Sequence, residues 1–98
     1  MDLQLKNKTA LVTGASQGIG RAIAKALAAE GVKVCITARR RKLLDVLAQE
    51  ITAAGGPAPA IVEADIMQDG APQQLADAAH QVLGHVDILI NSAGGSRP

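Results

Sequence analysis

The feature that most constrains this chain is a glycine-rich turn between a short apolar run and the start of a helical pattern. Residues 13–20 read Thr-Gly-Ala-Ser-Gln-Gly-Ile-Gly, and residues 9–12 resemble a strand that is buried on both faces of a parallel sheet. Glycine lets the backbone turn sharply and approach a ligand closely. The helix that follows would present unpaired N–H groups and the positive end of its dipole to an anion.

The spacing of this turn separates it from two common phosphate-binding motifs. It reads Gly-x-x-x-Gly-x-Gly, whereas the commonest dinucleotide fingerprint is Gly-x-Gly-x-x-Gly. A P-loop would need Lys and then Ser or Thr after the last glycine, where Arg21 and Ala22 stand. Taken alone, the glycines are also compatible with a tight connection that serves packing only. Support for an anion site must therefore come from the rest of the chain.

Four strand patterns alternate with three helical patterns along the 98 residues. We expect strands at residues 9–12, 32–38, 60–62 and 86–90, and helices at residues 17–30, 41–54 and 70–83. Helical spacing places Ile19 and Val82 among the inward-facing side chains. The order β-α-β-α-β-α-β predicts an α/β fold, a Rossmann-type doubly wound parallel sheet with strand order 3-2-1-4.

Composition argues against several classes of function. Ten Lys and Arg residues against nine acidic residues give a net charge of +1, which disfavours binding to nucleic acid or membranes through bulk charge. No apolar run approaches the length of a membrane span, and the start of the chain lacks a signal-peptide core. The single cysteine, Cys35, lies in an apolar strand run and predicts a buried thiol. We expect a cytoplasmic protein without a metal site, with His80 and His85 at its surface.

Loops with distinctive residues follow all four expected strands. The glycine turn follows the first strand, Arg39 and Arg40 follow the second, Asp65 follows the third, and residues 91–94 (Asn-Ser-Ala-Gly) follow the fourth. Ligands of doubly wound sheets bind beyond the carboxyl ends of the strands, near the point where the strand order reverses. We therefore expect the four loops to converge on one crevice.

Together these motifs resemble the N-terminal part of the short-chain dehydrogenase/reductase family, in its single-domain form. Residues 13–20 fit the family's Thr-Gly-x-x-x-Gly-x-Gly cofactor loop in full, and Asp65 sits where the family has an aspartate near the adenine ring. Residues 91–94 resemble its Asn-Asn-Ala-Gly motif, with Ser92 replacing the second Asn. The resemblance implies an oxidoreductase that transfers a hydride between a nicotinamide cofactor and a small carbonyl or alcohol substrate.

The residues expected to bind the cofactor come from these four loops. In the family, the residue at the position of Asn91 steadies the central strand, and this side chain is also compatible with a structural role alone. The expected set is Gly14, Ser16, Gln17, Gly18, Ile19, Gly20, Arg39, Arg40, Asp65, Ile66, Asn91, Ala93 and Gly94.

The residues after the second expected strand predict which cofactor is bound. An acidic side chain there would accept hydrogen bonds from the adenosine ribose and repel a 2′-phosphate, but Ala38 occupies that place. Arg39 is best placed for a forked contact with a 2′-phosphate, and Arg40 is second. We therefore expect NADP rather than NAD, and assign Arg41 and Lys42 to a solvated helix face.

The catalytic half of the family has no match in these residues. Family enzymes use a Tyr-x-x-x-Lys pair and a serine farther along, and the 98 residues contain no tyrosine. We name no catalytic residue, and we expect residues 1–98 to be a truncated, cofactor-binding part of one domain that is inactive alone. The alternative is a non-catalytic NADP(H)-binding module that assembles with a partner. A flavodoxin-like protein is a weaker alternative, against which the arginines and the long glycine loop count.

The fourth expected strand has no further strand to cover it. Residues 86–90 are mainly apolar and would form an exposed sheet edge. We therefore expect self-association into a homo-oligomer, a missing partner segment or marginal stability.

Overall fold

A computed structural model of the chain describes residues 5–15, 18–63 and 71–91. In these residues, strands β1 to β4 span Thr9–Thr13, Lys33–Ala38, Ala60–Glu63 and Ile88–Asn91, and helices α1 to α3 span Gly18–Ala29, Arg41–Ala53 and Ala71–Leu83. The seven predicted elements are confirmed, and their ends differ from the sequence-based bounds by at most two residues.

The four strands form one parallel sheet in the predicted order, β3-β2-β1-β4. At its carboxyl edge, Thr13 of β1 lies opposite Thr37 of β2 on one side and Asn91 of β4 on the other. Val62 of β3 lies opposite Thr37. Because aligned residues of neighbouring strands point to the same side of a sheet, these four side chains share one face.

The main core lies between the sheet and the helices α1 and α2. Val12 of β1 and Ile36 of β2 pack in one cluster with Leu44, Leu47 and Ile51 of α2, and all five are almost inaccessible to solvent. Burial of each large aliphatic side chain contributes about 1.5–3 kcal/mol. This layer fixes α2, and with it the arginine-rich turn that precedes the helix.

The face of α1 that packs on the sheet consists of small residues. Gly20, Ala24 and Ala28 are buried at intervals of four residues, which lets the helix lie close to the strands. Ile19 is 74 % exposed beside this stripe, so the prediction that it faces inward is wrong. Spacing alone did not identify the buried face because small residues, rather than large ones, occupy it.

The described residues cover the opposite face of the sheet only in part. Leu11 of β1 and Cys35 of β2 are buried with Ala79 of α3. Leu89 of β4, aligned with Leu11, is exposed to solvent. Val82 of α3 is also exposed, contrary to the prediction, because α3 packs over β2 and β3 and makes its buried contact through Ala79. The predicted apolar edge at β4 is therefore present in the described residues.

The helices are short, and α2 ends where its sequence predicts. The N–H of Gly55 donates to the Thr52 carbonyl and that of Gly56 to the Ile51 carbonyl, both at 3.0 Å. Gly55 has φ of +93°, so the two bonds and this left-handed residue form a Schellman motif. In the described parts of the chain, no helix has the length and apolar character needed to cross a membrane.

Candidate functional site

The glycine turn joins β1 to α1 at the carboxyl edge of the sheet. Gly14 and Gly18 have φ values of +66° and +65°, a conformation that other residues rarely adopt. A Cβ built on Gly18 would meet no atom of the described residues within 4 Å. Packing therefore does not account for Gly18. Its backbone conformation does, because a φ of +65° favours glycine over other residues.

A backbone hydrogen bond attaches this turn to the neighbouring strand. The N–H of Ala15 donates to the carbonyl of Thr37 at 3.0 Å, and Ala15 is fully buried. The contact holds the N-terminus of α1 next to the carboxyl end of β2. Unpaired N–H groups and the helix dipole make such a position favourable for phosphate.

A run of four cationic residues follows β2 and opens α2. Arg39 and Arg40 are exposed, and neither forms an ion pair within the described ranges. Arg40 is the N-cap residue of α2, and its side chain makes no capping hydrogen bond. Arg41, by contrast, pairs with Asp45 one turn later, with 3.1 Å between Nε and Oδ1. Arg39 and Arg40, which have no ionic partner in the described ranges, stand at a helix start whose dipole disfavours cations, so an anion there would be stabilised.

Polar side chains line the carboxyl edge across three neighbouring strands. These side chains are Thr37 of β2, Thr13 of β1 and Asn91 of β4. The Thr13 hydroxyl donates to Asn91 Oδ1 at 2.9 Å and so ties β1 to β4, which is the structural role considered for Asn91. Thr37 is 2 % exposed, and among the described residues its hydroxyl has no hydrogen-bond partner.

Three features of this edge favour a ligand that carries phosphate and hydrogen-bonding groups. The edge combines the start of α1 at Gly18 with Arg39 and Arg40, which have no ionic partner among the described residues, and with the buried Thr37 hydroxyl that those residues leave unsatisfied. Leaving such a hydroxyl unpaired costs about 1–3 kcal/mol. Anion-binding groups and a hydrogen-bonding group thus lie along the same edge of β1 and β2.

Not all of the predicted site residues fall in the described part of the chain. Those that do lie at the carboxyl edge or at the helix starts beside it: Gly14, Gly18, Ile19, Gly20, Arg39, Arg40 and Asn91. The others, which lie outside the described residues, are Ser16, Gln17, Asp65, Ile66, Ala93 and Gly94. Thr37, whose hydroxyl the described residues leave unsatisfied at this edge, was not among the predicted residues, although the sequence shows it as a threonine among apolar strand residues.

The amino edge of the sheet carries a polar cluster whose members are paired. Asp87 Oδ2 accepts a hydrogen bond from the Thr9 N–H at 3.0 Å and lies 3.1 Å from His85 Nε2. The Thr9 hydroxyl donates to the His85 carbonyl at 2.7 Å. The backbone hydrogen bond from Thr9 is the main reason that the pKa of Asp87 is lowered, and the charge of His85 acts in the same direction. These contacts fasten β4 to β1 at the edge opposite the candidate site.

A cavity of about 440 Å³ also lies at the amino edge, bordered by Lys6, Gly31, Lys33 and Gly55. The carboxyl ends of α1 and α2 border it, so their dipoles work against a bound phosphate despite the two lysines. In residues 5–15, 18–63 and 71–91, no cluster of three or more His, Cys, Asp or Glu side chains is arranged to hold a metal ion. The carboxyl edge is therefore the better candidate site.

Known proteins resemble this chain in both sequence and fold. The family model for short chain dehydrogenases matches residues 8–98. A short chain dehydrogenase of Pseudocercospora fijiensis is 46 % identical over 94 residues, which cover 96 % of this chain and 30 % of that protein. The chain spans about a third of the length of the curated relatives it matches.

Two solved structures illustrate the similarity in fold. Glucose dehydrogenase of Caenorhabditis elegans in its apo form has a TM-score of 0.86 at 39 % identity, covering 95 % of this chain and 40 % of that one. A metagenomic short-chain oxidoreductase in complex with NADP has a TM-score of 0.80 at 38 % identity, covering 87 % of this chain and 38 % of that one.

Proposed function

We propose that residues 1–98 form the NADP(H)-binding part of a single Rossmann-type oxidoreductase domain. The starting point is that the chain belongs to the short-chain dehydrogenase family. The whole protein would transfer a hydride between the nicotinamide and the carbonyl or alcohol carbon of a small substrate. The observation that carries the proposal is that the start of α1 at Gly18 lies at the same sheet edge as Arg39 and Arg40, which have no ionic partner among the described residues. When bound, the cofactor supplies the hydride chemistry, and this part of the protein binds and orients it.

The start of α1 would hold the pyrophosphate. Gly14 and Gly18 supply the positive φ values that aim the turn, and the buried Gly20 lets the helix pack closely on the strands. Ser16 and Gln17, which belong to the same turn, are proposed as further donors to the phosphate oxygens.

The turn after β2 would select the 2′-phosphate of NADP. The half-buried Ala38 presents no carboxylate that would repel this group, and the exposed Arg39 provides a forked cation. Arg40, at the N-cap of α2, would add a second positive charge. Asp65 and Ile66, after β3, are proposed to contact the adenine ring.

The nicotinamide side of the cofactor would lie toward β4. Ile19 offers exposed apolar surface at the start of α1, and Asn91 holds the end of β4 against Thr13. Ala93 and Gly94 follow Asn91 and are proposed to line the same side. No residue of this chain is proposed to be catalytic, and we expect the 98 residues alone to be inactive, since they contain no tyrosine for the family's Tyr-x-x-x-Lys pair.

Location and assembly form part of the same proposal. The buried Cys35 thiol is suited to a reducing compartment, which supports a cytoplasmic location. The exposed Leu89 on the edge strand β4 supports a homo-oligomer.

The test is a titration of the 98-residue chain with NADPH and, separately, NADH. The chain contains no Trp, Tyr or Phe, so nicotinamide fluorescence can be followed without a background from aromatic side chains. We expect saturable binding that favours NADPH. Arg39→Ala should weaken NADPH binding by about tenfold, the low end for a charge-assisted contact, because the arginine is exposed. NADH binding should change little.

Arg41→Ala is the matched control. Arg41 carries the same charge two residues away but is paired with Asp45, so its loss should leave the preference for NADPH intact. Equal affinities for the two cofactors, unaffected by Arg39→Ala, would contradict the choice of NADP. Absence of saturable binding to the unaltered chain would overturn the assignment of a cofactor-binding part.

A further inference from the structure

We propose that Thr37 is a further cofactor-binding residue, whose buried hydroxyl pairs with the adenosine part of NADP(H) when the cofactor occupies the carboxyl edge. This inference rests on the proposed function. It concerns a residue outside the glycine turn and the arginine pair.

The position of Thr37 between two phosphate sites supports the inference. Its carbonyl accepts the hydrogen bond from Ala15 that holds the glycine turn, and Arg39 follows it by two residues. If the pyrophosphate lies at the start of α1 and the 2′-phosphate at Arg39, the adenosine that joins them must pass over the end of β2. Thr37 lies at that end, on the strand itself.

The hydrogen bonding of the other buried threonines makes Thr37 unusual. Thr9 and Thr13 are buried on the same face of the sheet, and their hydroxyls donate to His85 O at 2.7 Å and to Asn91 Oδ1 at 2.9 Å. In the described part of the chain, Thr37 is the buried residue whose side-chain oxygen lacks such a contact. Its strand neighbours Val34 and Ile36 are apolar, and a valine would fill the same volume without an unpaired polar atom. The hydroxyl is thus left without a partner by the described residues, an unfavourable arrangement that a bound ligand would relieve.

The burial of Thr37 determines how the contact forms. At 2 % exposure the hydroxyl is covered in the free chain, so the cofactor must uncover it on binding. Pairing the hydroxyl then helps to offset the free energy of that local movement. A ligand shifts a conformational equilibrium in this way when it makes a contact that one state lacks.

Thr37→Val tests the inference through two quantities that should change in opposite directions, the melting temperature and the affinity for NADPH. It removes the hydroxyl and preserves shape, so the melting temperature of the free chain should rise by about 4 °C. The affinity for NADPH should fall by about tenfold. The cofactor loses a hydrogen bond that would otherwise offset the free energy of the local movement at Thr37. Thr37→Ser keeps the hydroxyl and should bind NADPH within about twofold of the unaltered chain.

Thr9→Val is the matched control at the other edge of the sheet. It removes a paired hydroxyl, so the melting temperature should fall while NADPH affinity stays unchanged. Should the Thr37→Val chain fail to fold, Thr37→Ala removes the same hydroxyl for the affinity measurement.

The outcomes separate this inference from the proposed function. Unchanged NADPH affinity in Thr37→Val, with normal binding by the unaltered chain, would overturn the inference alone. A lower melting temperature in Thr37→Val would do the same, because the hydroxyl would then be paired in the free chain. Failure of the unaltered chain to bind NADPH would overturn the proposed function and this inference with it.

Discussion

The Thr13 hydroxyl donates to Asn91 Oδ1 across 2.9 Å and so joins β1 to β4 at the first residue of the glycine turn. At the other end of the same strand pair, Asp87 accepts the hydrogen bond from the Thr9 N–H. The edge strand β4 is therefore fastened to the central strand at both ends by side chains, in addition to the backbone ladder. The carboxyl-edge contact adds to the backbone ladder that holds β4 beside β1, the strand that leads into the glycine turn.

We expect Asn91→Ala to lower the free energy of unfolding by about 1 kcal/mol. Thr13 is buried, and after this change its hydroxyl would keep the longer contact with the Ile90 carbonyl, at 3.4 Å. Asn91→Asp retains an acceptor oxygen in place and should cost less than about 0.5 kcal/mol. Urea unfolding of the three chains measures the difference. Equal losses in both variants would show that the hydrogen bond to Thr13 is not the source of the stabilisation.

We expect Asp87 to make the stability of the chain depend on pH in the acid range. The backbone N–H of Thr9 is the main cause of the lowered pKa of Asp87 in the folded chain, and burial opposes it. Because the folded pKa lies below the unfolded value of about 4, the stabilisation is present above that pH and is lost as pH falls through the folded pKa. Asp87→Asn should therefore flatten the decline in melting temperature below about pH 4, measured by circular dichroism.

His85→Ala is the control for this pH dependence. His85 lies 3.1 Å from Asp87, but its charge lowers the pKa of Asp87 less than the Thr9 backbone does. Most of the acid slope should therefore persist in His85→Ala. A slope that disappears in this variant as completely as in Asp87→Asn would assign the effect to the histidine.

The sequence predicted the backbone better than the side-chain contacts. An apolar run such as residues 34–36, after the glycine that ends the preceding helix, predicts a buried strand from neighbouring residues alone. No knowledge of distant parts of the chain is needed. The contact of Asp87 with Thr9 spans 78 positions and becomes visible only once β4 lies beside β1. The same limit applies to the site. The glycine turn and the arginines were recognisable as motifs. Thr37 becomes a candidate only in the structure, which aligns it with Thr13 and shows that its hydroxyl has no partner among the described residues.

We expect the Cys35 thiol to be unreactive in the folded chain. Burial raises its pKa to about 11, so almost none of it is thiolate at neutral pH, and its side chain is fully covered. A thiol-specific disulfide reagent should react only as fast as the chain opens, and urea should accelerate the reaction by orders of magnitude. The chain has one cysteine, so the signal has a single source. Reaction of the folded chain at the rate of a free thiol would contradict this burial.

We expect the exposed edge at β4 to make the 98-residue chain self-associate. Leu89 is 64 % exposed although it is aligned with the buried Leu11, and β4 is the last strand of the sheet in the described residues. Apolar side chains and unpaired backbone groups on an edge strand favour pairing with another chain. Sedimentation velocity from about 10 µM to about 1 mM should show a species that grows with concentration.

Leu89→Lys should reduce this association, because a second chain would then have to bury a charge at the edge. Val46→Lys is the control, since Val46 is an exposed apolar residue of α2, away from β4. A monomer throughout the concentration range would contradict the association itself. Equal association in all three chains would instead exclude the Leu89 edge as its site, because the control substitution leaves that edge intact and Leu89→Lys does not.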